Sequence, residues 1–334
     1  MTGSGRPYGA AVADTLSSGR DPFERLQPAG AGVTARGVRR SFGDVHAVTG
    51  IDLTAAAGEV TALVGPNGAG KTTLLLVIAT LLVPDAGQVR VAGFDPVTES
   101  DQVRARMGWS PDVFGLYDNL TCREYLAFVG QAYRLGRPRS RERAGELLIG
   151  ARLVEFADRP VHTLSRGQKQ RLGLARALVH GPEVLLLDEP ASGLDPRSRV
   201  ELRELLRSLA RAGTTVIVSS HLLGDLEELA DRVVFVDRGA TVGEHRLDQL
   251  PPGTAARPWR LRALDVPALV AALDRNGYDH DTPTVAGVDV RLASDEAAAE
   301  LLRGLVGDGV PVVACQPLGG QLEAAYLQLT EEGR

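Results

Sequence analysis

Gly65-Pro66-Asn67-Gly68-Ala69-Gly70-Lys71-Thr72-Thr73 stands between two apolar runs, VTALV at 60–64 and LLLVI at 74–78. Strand, glycine-rich loop and helix in that order make a phosphate-binding turn. The glycines let the backbone curl until successive N–H groups point inward, a path a Cβ would obstruct. The helix that follows offers the positive end of its dipole to an anion. Lys71 is placed to reach the β- and γ-phosphates of a nucleotide, and the Thr72 hydroxyl to hold Mg²⁺. A glycine-rich turn without a ligand is the bland alternative, and the flanking strand and helix weigh against it. The stretch specifies a nucleotide and leaves open what that nucleotide drives.

The chain has 334 residues, enough for a full core and more than one domain. Hydrophobic residues make up 44% and charged residues 24%, ordinary proportions for a soluble globular protein. A net charge of −5 weighs against nucleic acid as the main partner, and none is expected. The basic residues are almost all arginine; the two lysines are Lys71 and Lys169. At Lys71 a compact ammonium on a flexible stem is not interchangeable with a planar guanidinium. Cys122 and Cys315 fit no metal or redox spacing, so inert thiols in a reducing compartment are expected. No run reaches the ~18–20 apolar residues of a membrane span. The longest, 74–83, reads as a buried helix after the loop. With no charged-then-apolar leader, a cytoplasmic location is expected.

Residues 1–31 are rich in Gly, Ala, Ser, Pro and Arg and read as a disordered tail. Residues 36–42 and 48–53 alternate like short strands. Phe42 ends the first of them, where an aromatic could stack on a base or simply join the core. Residues 88–93 and 107–112 read as further strands running into turns. A helical block occupies about 113–165, with Tyr125, Leu126, Phe128 and Val129 expected to face inward over 121–134 and a second helix over 139–153. Leu164-Ser165-Arg166-Gly167-Gln168 then opens a helix with Ser165 as N-cap. An apolar strand follows at 184–187 and ends in Asp188-Glu189. A continuous apolar strand suits a parallel sheet covered on both faces, whose ligands sit at the carboxyl ends of the strands. Behind a phosphate loop, one acid suits Mg²⁺ and the other an attacking water. Another strand, 214–219, ends at Ser220-His221, on the same edge.

In this order the motifs resemble the ATP-binding subunits of ABC transporters, over roughly residues 33–250. The phosphate loop is shared by many NTPases; the pentapeptide at 164–168 shortly before the acidic strand is far more specific. The resemblance implies an α/β P-loop NTPase of ABC type: a mostly parallel sheet, an antiparallel N-terminal β-subdomain and a helical subdomain. It implies a homodimer or heterodimer, head to tail, with two ATP molecules at the interface. Each ATP would be held by Gly65, Pro66, Asn67, Gly68, Ala69, Gly70, Lys71, Thr72 and Thr73 of one subunit and by Ser165, Gly167 and Gln168 of the other. Phe42 would stack on adenine, Thr72 and Asp188 would serve Mg²⁺, Glu189 would be the general base, and His221 would contact the γ-phosphate. Asp195 would cross the interface. A separate integral-membrane permease is implied as partner, docking near 116–134, with the ATPase peripheral on the inner face of the cell membrane.

Two positions depart from the pattern. Asp112 stands where the family most often has glutamine; its carboxylate is a potential oxygen ligand for Mg²⁺, but shorter and charged. Arg166 stands where glycine is commonest, with Ser165 and Gly167 kept. Beyond 250, residues 251–334 read as a small α+β accessory domain of order β-α-β-β-α-β ending in a helix. Such an extension, with the stretch 115–121, resembles subunits of drug and polyketide exporters, so export is expected over import. The alternative is a soluble ABC ATPase acting on ribosomes or nucleic acid; one cassette, no sustained heptads and a negative charge disfavour it.

Overall fold

The computed structural model describes residues 32–113, 115–221, 223–249, 257–318, 320, 322, 325, 326 and 329. The tail expected at 1–31 lies outside them. Two units emerge. The first holds the described residues up to His221 together with Glu228–Glu244, and the second holds the described residues of 222–227 and of 245–334. The first unit thus closes earlier than the boundary expected at 250.

In the first unit, β1 (Val33–Phe42) and β2 (Val45–Ala55) pair antiparallel, and β4 (Ala86–Val91) pairs antiparallel with β1. Alternating burial along β1 and β2 gives each strand one core face, as half-buried antiparallel strands require. The second part of the sheet is parallel. There β3 (Val60–Val64) lies between β7 (Thr215–Ser220) and β8 (Arg232–Asp237). Next to β7 come β6 (Val184–Asp188) and β5 (Met107–Ser110), again parallel. With β9 (Ala240–Arg246) the order is β4-β1-β2-β9-β8-β3-β7-β6-β5. Every residue of β3, β6 and β7 is buried, which explains their near-continuous apolar sequences. Register sets Val64 beside Ser220, and Asp188 beside Ser219, so three strands end together at one edge.

Helix α1 (Lys71–Ile78) leaves the phosphate loop, and α2 (Ser100–Arg106) precedes β5. The apolar run to Val83 does not stay helical: Thr80 has φ 64, and Leu81 and Val83 are exposed. A left-handed residue ends the helix, whatever the hydrophobicity beyond it.

The helical block holds α3 (Cys122–Ala132) and α4 (Arg137–Gly150). A capping box starts α3: Thr121 and Glu124 each satisfy the other's backbone N–H. Its buried face is Cys122, Tyr125, Leu126 and Gly130; Phe128, expected inside, is 46% exposed. Two residues past Leu126 is some 200° around the helix, which carries Phe128 away from the core. It packs edge-on against Tyr117 instead, 5.3 Å between centroids. Helix α5 (Arg166–Ala177) follows, then α6 (Pro196–Arg211). The far end of α5 is fastened to α4: the buried Arg143 guanidinium donates to Leu178 O at 2.9 Å and Val179 O at 3.2 Å. Three residues past α5, His180 stacks on Tyr133 at 3.9 Å, and its Nε2 lies 3.1 Å from Met107 O.

The second unit includes α7 (Leu223–Glu227), β10 (Arg257–Ala263), α8 (Val266–Arg275), β11 (Val288–Leu292), α9 (Asp295–Gly307) and β12 (Val312–Pro317). Its sheet is three-stranded and antiparallel, β11-β10-β12. The order β-α-β-β-α-β expects four strands; between α8 and β11 the chain makes isolated bridges instead, Thr284 with Gly287 and His280 with Val290. Leu261, Leu269, Leu273, Val288 and Leu305 form a core of their own. Leu322, Ala325, Tyr326 and Leu329 are helical as expected, with the residues between them outside those described.

Candidate active site

The carboxyl ends of β3, β6 and β7 supply the site. After β3 the loop turns so tightly that a Cβ on Gly65 would stand 2.1 Å from Val236 O. Gly70, at φ 100, is the N-cap of α1, and a Cβ there would stand 2.6 Å from Ala47 O. Only glycine fits either place. No side chain caps α1, so its first N–H groups remain for a ligand. Pro66, Asn67 and Gly68 are exposed at the crest of the loop, and the buried Ala69 donates its N–H to Pro66 O at 3.2 Å.

Lys71 is 6% exposed and folds back over the loop, its Nζ donating to Gly65 O at 2.7 Å and Pro66 O at 3.1 Å. Burial pushes its ammonium below the ordinary lysine value, while Glu189 and Asp188 pull the other way. Thr72 donates its hydroxyl to Asp188 Oδ2 at 2.9 Å. Thr73 is half-buried in the same first turn.

From β6 come the two acids. Asp188 is buried, its second oxygen accepting from the Ser219 hydroxyl. Glu189 has φ 47, a left-handed conformation costing roughly 1–3 kcal/mol for a non-glycine residue. Two contacts hold it there: its N–H donates to Ser219 Oγ at 3.0 Å, and its carbonyl accepts from Ser192 N–H at 3.0 Å. The twist swings the Glu189 carboxylate to 3.9 Å from Lys71 Nζ and 2.9 Å from His221 Nδ1. No motif singles out Ser219. Two serines closing an otherwise apolar strand just before His221 are the signal that marks it.

The structure therefore gathers Lys71, Thr72, Asp188, Glu189 and His221. Residues 165–168 are separate: among the described residues, no hydrogen bond or ion pair joins Ser165, Gly167 or Gln168 to those five. Ser165 and Gln168 instead form a capping box, Ser165 N–H donating to Gln168 Oε1 at 2.8 Å and Gln168 N–H to Ser165 Oγ at 3.3 Å. Arg166 lies across Gly193, its Nη2 3.4 Å from Ser192 Oγ. Asp195 caps α6 through Ser198 N–H and hydroxyl. Asp112 is exposed in the loop after β5 and makes no hydrogen bond to Thr72 or Asp188. Phe42 ends β1 with 48% of its surface exposed.

Residues 48–192 match the ABC transporter family. The daunorubicin resistance ATP-binding protein DrrA3 of Streptomyces coeruleorubidus is 38% identical over 311 residues, 90% of this chain and 96% of that protein. The chain belongs to the ATP-binding proteins of ABC transporters. Another relative is the Nod factor export ATP-binding protein I of Burkholderia lata, 39% identical over 64% of this chain and 70% of its own length. A dimeric ATP-binding cassette solved in a post-hydrolysis state with ADP and Pi aligns at TM-score 0.59 and 28% identity, over 64% of this chain and 98% of that one. As an ABC ATPase, the protein binds nucleotide and hydrolyses ATP; its place among transporter ATP-binding proteins implies a membrane partner, and the dimeric cassette is consistent with dimerisation. No helix among the described residues is long and apolar enough to cross a membrane.

Proposed function

We propose that the protein powers a separate membrane permease that exports a drug-like or other small molecule, acting as a peripheral ATPase on the inner face of the cell membrane. The observation that carries the catalytic part is Glu189, turned by its left-handed backbone between Lys71 and His221. Export is supported by the relatives, named for drug resistance and Nod factor export.

In this reading the free N–H groups of residues 65–73 cradle the α- and β-phosphates, and Lys71 leaves its carbonyl partners for the β- and γ-phosphates. The Thr72 hydroxyl and Asp188 carboxylate, 2.9 Å apart, are hard oxygen donors of the kind Mg²⁺ takes. When bound, the ion neutralises charge on the phosphate oxygens. Glu189 accepts the proton of the attacking water; His221, released from Glu189, turns to the γ-phosphate. Ser219 keeps both acids in place by donating to one and accepting from the backbone of the other. Ser165 and Gly167 meet the ATP of a second subunit, with Gln168 orienting Ser165 through the capping box. Phe42 stacks on adenine. Asp112, exposed in the loop after β5, offers the ion a further carboxylate oxygen.

The test is to tag a Glu189→Gln protein and recover it with ATP from detergent-solubilised membranes. A multi-span membrane protein in stoichiometric amount is the expected companion. Ribosomes, nucleic acid or soluble protein alone would keep the ATPase and overturn its place in transport.

A further inference from the structure

Phe42 is a large aromatic at a hairpin mouth, paired with Val45 across Gly43 and Asp44, with nearly half its surface exposed. Left to itself such a ring would sample several rotamers, and any base it stacked on would have to order it first. It is not left to itself. The Arg40 guanidinium carbon lies 4.9 Å from the ring centroid, over the ring. Two residues apart on one strand, the two side chains share a side of β1.

Arg40 is itself fixed. Its Nη1 donates to Asp85 Oδ1 at 2.7 Å, while the other oxygen of that carboxylate accepts from Ser41 N–H at 2.6 Å. Asp85 N–H in turn donates to Arg39 O at 2.8 Å. The Ser41 N–H first, and then Arg40, hold the Asp85 carboxyl below its ordinary range, so the ion pair persists across neutral and mildly acidic pH. Asp85 lies on the segment that leaves α1 and enters β4, so the stretch that begins at the phosphate loop ends at the base of this aromatic.

We propose that Arg40 is a positioning residue for the nucleotide base: clamped by Asp85, it backs one face of Phe42 and pre-orders the ring for the purine on the other. The inference rests on the reading of Phe42 as the adenine platform and adds what holds the platform still. Because the Arg40 charge is neutralised by Asp85, it adds no pull on phosphate. The effect is therefore confined to the base.

Calorimetric titration of the full chain with ATP and with inorganic tripolyphosphate separates these contributions. Arg40→Ala and Asp85→Asn are each expected to weaken ATP by about two- to five-fold, the worth of an exposed cation–π contact. Tripolyphosphate binding stays unchanged, which also certifies the fold. Phe42→Ala weakens ATP by about ten-fold and abolishes any further effect of Arg40→Ala in the double variant. Loss of ATP affinity in Phe42→Ala but not in Arg40→Ala would overturn the Arg40 role and leave the platform standing. No loss in either variant would overturn both. Equal losses for ATP and tripolyphosphate would show that Arg40 acts on the loop as a whole and would also overturn the proposal.

Discussion

Helix α1 starts at Gly70 with no side-chain cap, whereas α5 starts at Ser165 inside a closed capping box. Both starts belong to motifs that face phosphate in the proposed site, yet their chemistry differs. Around α1 the chain itself supplies the ammonium, the hydroxyl, both acids and the histidine, bonded to one another over the buried Lys71 and Asp188. Around α5 the polar groups satisfy each other at an exposed surface, and among the described residues no hydrogen bond or ion pair ties Ser165, Gly167 or Gln168 to the catalytic cluster. In the proposed site, then, one half is the reaction centre and the other a contact surface already satisfied within its own chain. The far ends differ in the same sense. Arg143 and His180 fasten the chain at the far end of α5 to its surroundings.

The largest effect should fall on the α1 side. Glu189→Gln is expected to lower ATP turnover by about 10²–10⁴-fold while ATP binding is retained, since general-base catalysis typically contributes that much. Steady-state phosphate release alongside calorimetric binding checks it, and unchanged turnover would sink the general-base role.

Next comes the anchoring of α5. Burial drives His180 from 6.5 to about 4. Between those values the unfolded chain takes up a proton that the folded one refuses, so stability falls as pH falls through this window, by about 3 kcal/mol in all. Above pH 6.5 the residue is neutral in both states and contributes no slope. Urea unfolding at several pH values should show this loss, and His180→Phe, which keeps a ring against Tyr133, should flatten it. An unaltered slope in that variant would place the acid sensitivity elsewhere.

The smallest effect tests the finished surface directly. Ser165→Ala removes the cap and should cost about 1 kcal/mol of stability. It should leave the ATP affinity of the isolated chain unchanged while weakening ATP-dependent dimer formation, read by sedimentation. A fall in monomer affinity would erase the distinction between the two helix starts.

Where the chemistry lies contiguous along the chain, the residues alone disclose it. The phosphate loop, the acids after a continuous apolar strand and the pentapeptide with its cap are short motifs whose spacing carries their geometry. Other features are not legible in this way because they depend on residues far apart. Ser219 joins Asp188 and Glu189 only because β6 and β7 are neighbours in register. Phe128 reads as core from the apolar periodicity of 121–134, but the turn of α3 sets it outward against Tyr117. The apolar run to Val83 suggests a longer helix than Thr80 permits.

By itself the sequence determined an α/β nucleotide-binding core, because glycines, lysine and acids in fixed order leave the backbone few alternatives near a phosphate. Tertiary structure alone decided how those residues are presented. Sheet order brings three strand ends to one edge, a left-handed Glu189 is held by a serine from the next strand, and an arginine clamped by Asp85 backs the Phe42 ring. The strand ends, the Ser219–Glu189 contact and the Arg40–Asp85 pair each join groups far apart in sequence. Local periodicity cannot encode such contacts.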